Sequence, residues 1–147
     1  MSQAACAQPA PAPHSLLGMS RENVEVVREL FERYRRGDHA GAVECLAPDV
    51  VYEVGQELPA LGPAAVLEMW QRWESDWEEI DAIPEEYLDA GDRVVVSVRY
   101  LARGRGGIEI DDRLFDVYVL RDGKCVGKRE FRSRSEALEE AGLAGAG

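Results

Sequence analysis

Apolar residues recur at helical spacing early in the chain and at strand spacing later. Val24, Val27, Phe31 and Tyr34 repeat every three or four positions, with Val26 and Leu30 widening the stripe, and so predict an amphipathic helix. Ser20 is a favourable N-cap for it, Glu22 suits its first turn, and Gly37 ends it. Asp38 caps a short second helix through Ala42, Val43 and Leu46, up to Pro48. Val50–Val54 reads as a first strand and Gly55–Gly62 as a loop. Pro63 suits the first turn of a third helix, on which Val66, Trp70, Trp73 and Trp77 form one stripe. The period then changes to two. Ile80–Ala90 is a strand interrupted at Pro84, and Arg93–Arg103 carries Val94, Val96, Val98 and Tyr100 on one face. Ile108–Leu120 and Cys125–Arg132 follow, with turns at Gly91-Asp92, Gly104–Gly107 and Asp122-Gly123. Ser133 and Glu136 form a capping box for a last helix, Arg134–Ala141, stopped by Gly142. Helices first and antiparallel strands after predict an α+β fold. The expected architecture is a curved antiparallel sheet wrapped around the N-terminal helices, leaving a cone-shaped hollow.

One position breaks the apolar pattern. In the run Leu114 to Leu120, alternation puts Leu114, Asp116, Tyr118 and Leu120 on one face and Phe115, Val117 and Val119 on the other. Neither set suits solvent. Asp116 must be paired with a cation, held neutral by a raised pKa, or placed against a cavity. Its neighbours across the next hairpin depend on the turn. A two-residue type I′ turn at Asp122-Gly123 would pair Arg121 with Lys124 and set Asp116 opposite Arg129. A three-residue turn with a left-handed Gly123 would pair Leu120 with Lys124 and set Asp116 opposite Lys128. The second is preferred, because it gathers Phe115, Val117, Val119, Cys125 and Phe131 on one apolar face. Asp116, Lys128, Glu130 and Arg132 then share the other with Leu114, Tyr118 and Val126. No helix remains to cover the apolar outer face, so a homodimer through that face is expected.

Composition narrows the partners. The chain has 147 residues and a formal net charge of −11, enough for one domain with its own core and a poor match to nucleic acid or an anionic membrane. Cys6, Cys45 and Cys125 have no metal-binding spacing, and two buried cysteines suit a reducing, cytoplasmic setting. His14 and His39 are too scattered for a metal site or for activating a nucleophile, so no cofactor is expected. The Ala/Pro-rich stretch 1–18 is expected to be a disordered tail, with Met19 a candidate start, 19–143 the domain, and 144–147 a flexible C-terminus. A single Arg103-Gly104-Arg105-Gly106-Gly107 reads as a hairpin loop, not an RNA-binding element.

Several stretches carry a family likeness: Arg36-Gly37-Asp38, Leu46-Ala47-Pro48-Asp49-Val50, Gly91-Asp92-Arg93-Val94-Val95-Val96, Leu120-Arg121-Asp122-Gly123-Lys124, and Glu136-Ala137-Leu138-Glu139-Glu140-Ala141-Gly142-Leu143. In this order they resemble the nuclear transport factor 2-like superfamily, also described as cystatin-like, and within it the SnoaL-like, polyketide cyclase-like proteins. The resemblance implies the conical fold and a set of activities that includes isomerases, cyclases, hydrolases, dehydratases and proteins without catalysis. Steroid isomerases of this fold use a carboxylate base on the first strand, a tyrosine on the first helix and a protonated aspartate on a late strand. On that pattern Asp116 matches the late-strand aspartate, whereas the base falls on Val54, beside Glu53, and the tyrosine on Leu30. One role of three is kept, which argues against steroid isomerisation by that route.

The expected function is binding of a small, largely apolar, oxygenated molecule with cofactor-free acid/base chemistry. Asp116 is the candidate catalytic group. Tyr34, Tyr52, Trp70, Trp73, Tyr100 and Tyr118 are candidate binding residues, with Lys128, Glu130 and Arg132 at the polar end. Tyr52 is expected to face inward and Glu53 outward. The alternative is a non-catalytic ligand-binding or dimerisation module in which Asp116 is held by an ion pair. A cone filled by its own aromatic side chains would favour that module.

Overall fold

The computed structural model describes the backbone of residues 13–143 and the side chains of residues 21–143. Helix α1 spans Pro13–Arg35. It starts ahead of the expected Ser20 cap, because a proline is well placed in a first helical turn and Leu16 and Leu17 continue the helix. Ser20 therefore lies inside the helix. The Ala/Pro stretch 1–12, with Cys6, and residues 144–147 lie outside the described residues. Asp38 caps α2 (His39–Val43) by accepting from the Gly41 N–H at 2.9 Å. Strand β1 (Leu46–Tyr52) runs through Pro48 and ends sooner than expected. After β2 (Ala60–Leu61), helix α3 (Pro63–Asp76) starts on Pro63.

The remaining strands are β3 (Glu79–Ala90), β4 (Arg93–Arg103), β5 (Glu109–Arg121) and β6 (Lys124–Phe131), and α4 covers Arg134–Glu140. They form one six-stranded sheet in the order β2-β1-β6-β5-β4-β3. All neighbours are antiparallel except β1 and β6, which run parallel. Pro84 is tolerated because β3 is an edge strand and the register slips there. The architecture is the expected α+β one: a curved, unclosed sheet with α1 and α3 against its inner face.

The β5–β6 hairpin corrects the preferred register. Asp122 and Gly123 both have positive φ, 52° and 79°, as a two-residue type I′ turn requires, and Arg121 pairs with Lys124. A bulge then inserts Val126, so Val119 meets Gly127, Tyr118 meets Lys128 and Asp116 meets Glu130. This register differs from the preferred one by two residues, and an even shift leaves every residue beyond the bulge on its expected face. Below the bulge the faces change. Cys125 turns inward to the core with Leu120, where the outer face had been expected.

The outer face also departs from expectation. Val95 and Val117 are buried there with Ala137 of α4 and its C-cap Ala141, and Leu88, Phe115, Phe131 and Leu143 pack at the margin. Helix α4 therefore covers part of the outer face, which had been expected to have no helix on it. Its Ser133 cap accepts from the Glu136 N–H at 3.3 Å, and alanines at its contact positions let it lie close to the sheet. Burying each valine in this patch stabilises the fold by roughly 1.5–3 kcal/mol.

Candidate functional site

The inner face of the sheet meets the helices around a small cavity. Leu30, Phe31 and Tyr34 of α1 form one wall and Trp70 and Trp73 of α3 another. Tyr52, Ala82, Tyr100, Tyr118 and Lys128 come up from five different strands. The aromatic groups pack edge to face. Trp70 is crossed by Tyr34 at 5.0 Å and by Tyr52 at 5.9 Å, and Phe31 meets Tyr118 at 5.9 Å. The free volume among these walls is about 30 Å³, room for about one water. Trp77, the third member of the tryptophan stripe, turns away onto Gly104, where a Cβ would sit 3.2 Å from its ring.

Beneath this cavity lies a buried charged network. Lys128 Nζ donates to Glu130 Oε2 at 2.7 Å and stands 3.8 Å from Asp116 Oδ2. The Tyr100 hydroxyl donates to the same Asp116 oxygen at 2.6 Å. Asp116 is 0% exposed and Lys128 2%. Asp116 is not itself one of the lining groups; its hydrogen-bond partner Tyr100 and its counter-ion Lys128 are. Oδ1 of Asp116 has no hydrogen-bond partner among the described residues. A buried acceptor in that state keeps the network unfinished.

Burial dominates the electrostatics. It pushes the Asp116 carboxyl up to about 6, against the pull of Lys128 and of the Tyr100 and Tyr118 hydroxyls and with the help of Glu130. Burial works on Lys128 in the opposite sense and disfavours the ammonium. Asp116, Tyr52 and Glu130 outweigh it and leave the lysine above its ordinary value, so it stays charged. The ammonium also lies 4.8 Å from the Tyr52 ring centroid, a cation–π contact. Burial lifts Tyr52 to about 12 and Tyr100 well above the ordinary phenol range, which keeps both protonated. One cationic donor and several neutral phenols therefore surround an apolar space, with two carboxyl groups behind them.

The candidate residues named from the sequence divide three ways. Tyr34, Tyr52, Trp70, Trp73, Tyr100, Tyr118 and Lys128 stand together around the cavity. Asp116 and Glu130 stand behind them. Arg132 does not join: its side chain is 82% exposed and pairs with Asp112 at 3.3 Å. It follows the last residue of β6. Tyr52 faces inward and Glu53 outward to Arg129, as expected.

Leu30, Phe31 and Ala82 were not singled out as wall residues. The first two belong to the α1 stripe, so helical periodicity was a usable signal for them. His39 was also passed over. It stacks on Tyr34 at 4.8 Å, and its Nε2 lies 3.6 Å from Glu74, bracing the aromatic wall from outside. Leu30, at the tyrosine position of the steroid isomerase pattern, is an apolar wall, and the hydroxyl beside Asp116 comes from Tyr100 on β4. Among the described residues no cluster of three metal-ligating side chains occurs, and no helix is long and apolar enough to cross a membrane.

The fold has close counterparts among solved structures. An NTF2-like protein of unknown function from Burkholderia pseudomallei matches at 22% identity with a TM-score of 0.70, over 80% of this chain and 95% of that one. TerC, crystallised with polyporic acid, matches at 22% identity and 0.68, over 82% and 97%. Bal32a, from a soil-derived mobile gene cassette, matches at 21% identity and 0.72, over 83% and 97%. At these identities the likeness is one of fold. No curated protein is similar enough to count as a match. The SnoaL-like domain profile matches residues 27–128, most of the chain, and the protein belongs to that family.

Proposed function

We propose that the protein binds a small, largely apolar, oxygenated organic molecule inside the cone and carries out cofactor-free acid/base chemistry on it. Cyclisation, isomerisation, dehydration and hydrolysis are the reaction classes this chemistry serves. The observation that carries the reading is the buried Tyr100–Asp116–Lys128–Glu130 network at the polar end of an aromatic cavity. Lys128 and Tyr100 are the groups that would touch substrate. The ammonium would stabilise charge developing on a substrate oxygen. Asp116 would act through Tyr100. Once protonated it can donate to the phenol oxygen, which frees the phenol proton for the substrate. Such a relay works in the acid form of Asp116, so its rate should fall as pH rises through about 6. TerC, of the same fold, was crystallised with polyporic acid, an oxygenated organic ligand by its name, and this fits the reading.

The test is a panel of cyclic ketones, epoxides and enolisable aromatics, scored first for binding by tryptophan fluorescence and then for turnover. Asp116→Asn should lower turnover at least ~10²-fold with the fold intact. Unchanged turnover in this variant would remove Asp116 from the chemistry.

The small cavity favours a second reading, a non-catalytic module whose aromatic groups fill their own cone. Under it no panel member turns over and Asp116→Asn changes stability alone. Two further points belong to the same proposal. The part of the outer sheet face beyond α4 carries a row of Leu61, 68% exposed, with Val51, Gly127 and Val119 beside it, and a second copy of the chain would cover this row. Sedimentation of a Val51→Asp variant as a monomer and of the wild type as a dimer is the expected outcome. The buried free thiols Cys45 and Cys125 suit the cytoplasm.

A further inference from the structure

We propose that Trp73 is the gate of the cavity and sets the size of molecule it admits, with Glu57 as the latch that holds it shut. The inference rests on the small-molecule reading for what passes the gate, though not for the gate itself. It begins from a mismatch of size. The cavity offers about 30 Å³, whereas pockets that enclose organic ligands are roughly 300–1,000 Å³. Some wall residue must move for any such ligand to enter.

Most of the wall is fixed from behind. Trp70 is boxed by Tyr34, His39 and Tyr52. Tyr34 is itself stacked on His39, and Tyr100 is tied to buried Asp116. Trp73 differs. It is half-buried, and its indole Nε1–H donates at 3.1 Å to Glu57 Oε2, an exposed carboxylate whose other oxygen pairs with exposed Arg72. Exposed ion pairs hold weakly and are screened by salt. Glu57 lies in the loop between β1 and β2, and the same loop is fastened a second time by the Gly55 N–H, which donates at 3.1 Å to Glu130 Oε1. The other oxygen of Glu130 accepts from Lys128. The loop is thus bonded on one side to a cavity wall and on the other to the partner of the cavity's cation. A ligand oxygen that competes for Lys128 would loosen the second fastening as the indole swings out of the first.

The experiment needs no knowledge of the ligand. In a Trp77→Phe background, acrylamide quenching reports how far quencher reaches Trp70 and Trp73. Glu57→Ala should raise the quenching constant about three-fold, the population change that an exposed ion pair and one hydrogen bond can hold. Added salt should raise it in the parent and leave Glu57→Ala unmoved. Glu68→Ala, on the same helix and exposed, is the control and should match the parent. Trp73→Ala should then bind 2-naphthol at least ten-fold more tightly than the parent does. Equal quenching in Glu57→Ala and the parent would overturn the gate, as would equal 2-naphthol affinity in Trp73→Ala and the parent when both bind it. Raised quenching in Glu57→Ala, with no panel molecule bound by any variant, would uphold the latch and sink the small-molecule reading.

Discussion

Asp116 and Val117 are adjacent in one strand and equally hidden, yet they belong to opposite kinds of interior. On the outer side Val117 meets Val95 and the alanines of α4, and everything there is apolar. On the inner side Asp116 shares its enclosure with an ammonium, a second carboxylate and a phenol, and one of its oxygens has no partner among the described residues. The outer patch stabilises by simple burial. The inner patch desolvates charges that a few apolar residues of the same volume would replace at little loss, or even some gain, in stability. Burial alone accounts for the outer patch and does not account for the inner one.

Variants can pull the two interiors apart. The largest expected effect is on the inner side. Lys128→Met leaves two carboxyl groups buried without a cation and should lower unfolding stability by about 3–5 kcal/mol at neutral pH in urea titrations. A loss under 1 kcal/mol would show that solvent reaches the network. Next is a pH effect. The folded-state carboxyl of Asp116 titrates at about 6, above the 3.8 of an ordinary aspartate. The folded protein therefore holds that proton more tightly than the unfolded chain. Asp116 lowers stability as pH rises from about 4 through 6, by on the order of 2–3 kcal/mol, and the deficit is fully present at pH 7. Asp116→Asn should flatten this stretch of the stability profile; an unaltered slope would place the titration elsewhere. On the outer side Val117→Ala should cost about 2 kcal/mol with no pH dependence over the same range. The smallest effect belongs to Arg132→Ala, which should stay within about 0.5 kcal/mol and leave ligand affinity unchanged, since its side chain lies in solvent.

What the sequence disclosed, and what it withheld, follows the same division. Helical stripes and strand alternation placed α1, α3 and the four long strands, and the identity of the wall residues came with them. Tyr34, Trp70 and Tyr100 were legible because periodicity alone says which face a side chain takes. Asp116 was legible because a carboxylate amid apolar neighbours has few resting places. The coverage of the outer face was misread, since a helix as short as Arg134–Glu140, rich in alanine and charge, gives no strong apolar stripe. Hairpin register was misread because Asp122-Gly123 suits two turns, and nothing in the local pattern marks Val126 as the residue the bulge inserts. The Glu57–Trp73 contact joins residues on a loop and a helix, and no local pattern announces such a pairing.

The surplus Val126 has an evolutionary consequence. Hairpin tips usually absorb insertions and deletions freely, but here the count between the tip and Lys128 acts as a parity bit for the whole of the distal strand. Losing one residue would rotate the lysine and its glutamate toward the alanines of α4 and bring Arg129 into the cone. A change by two would keep the lysine on the inner face but slide it about 7 Å along β5 relative to Asp116; a change by one would have to be answered by a second, compensating indel nearby.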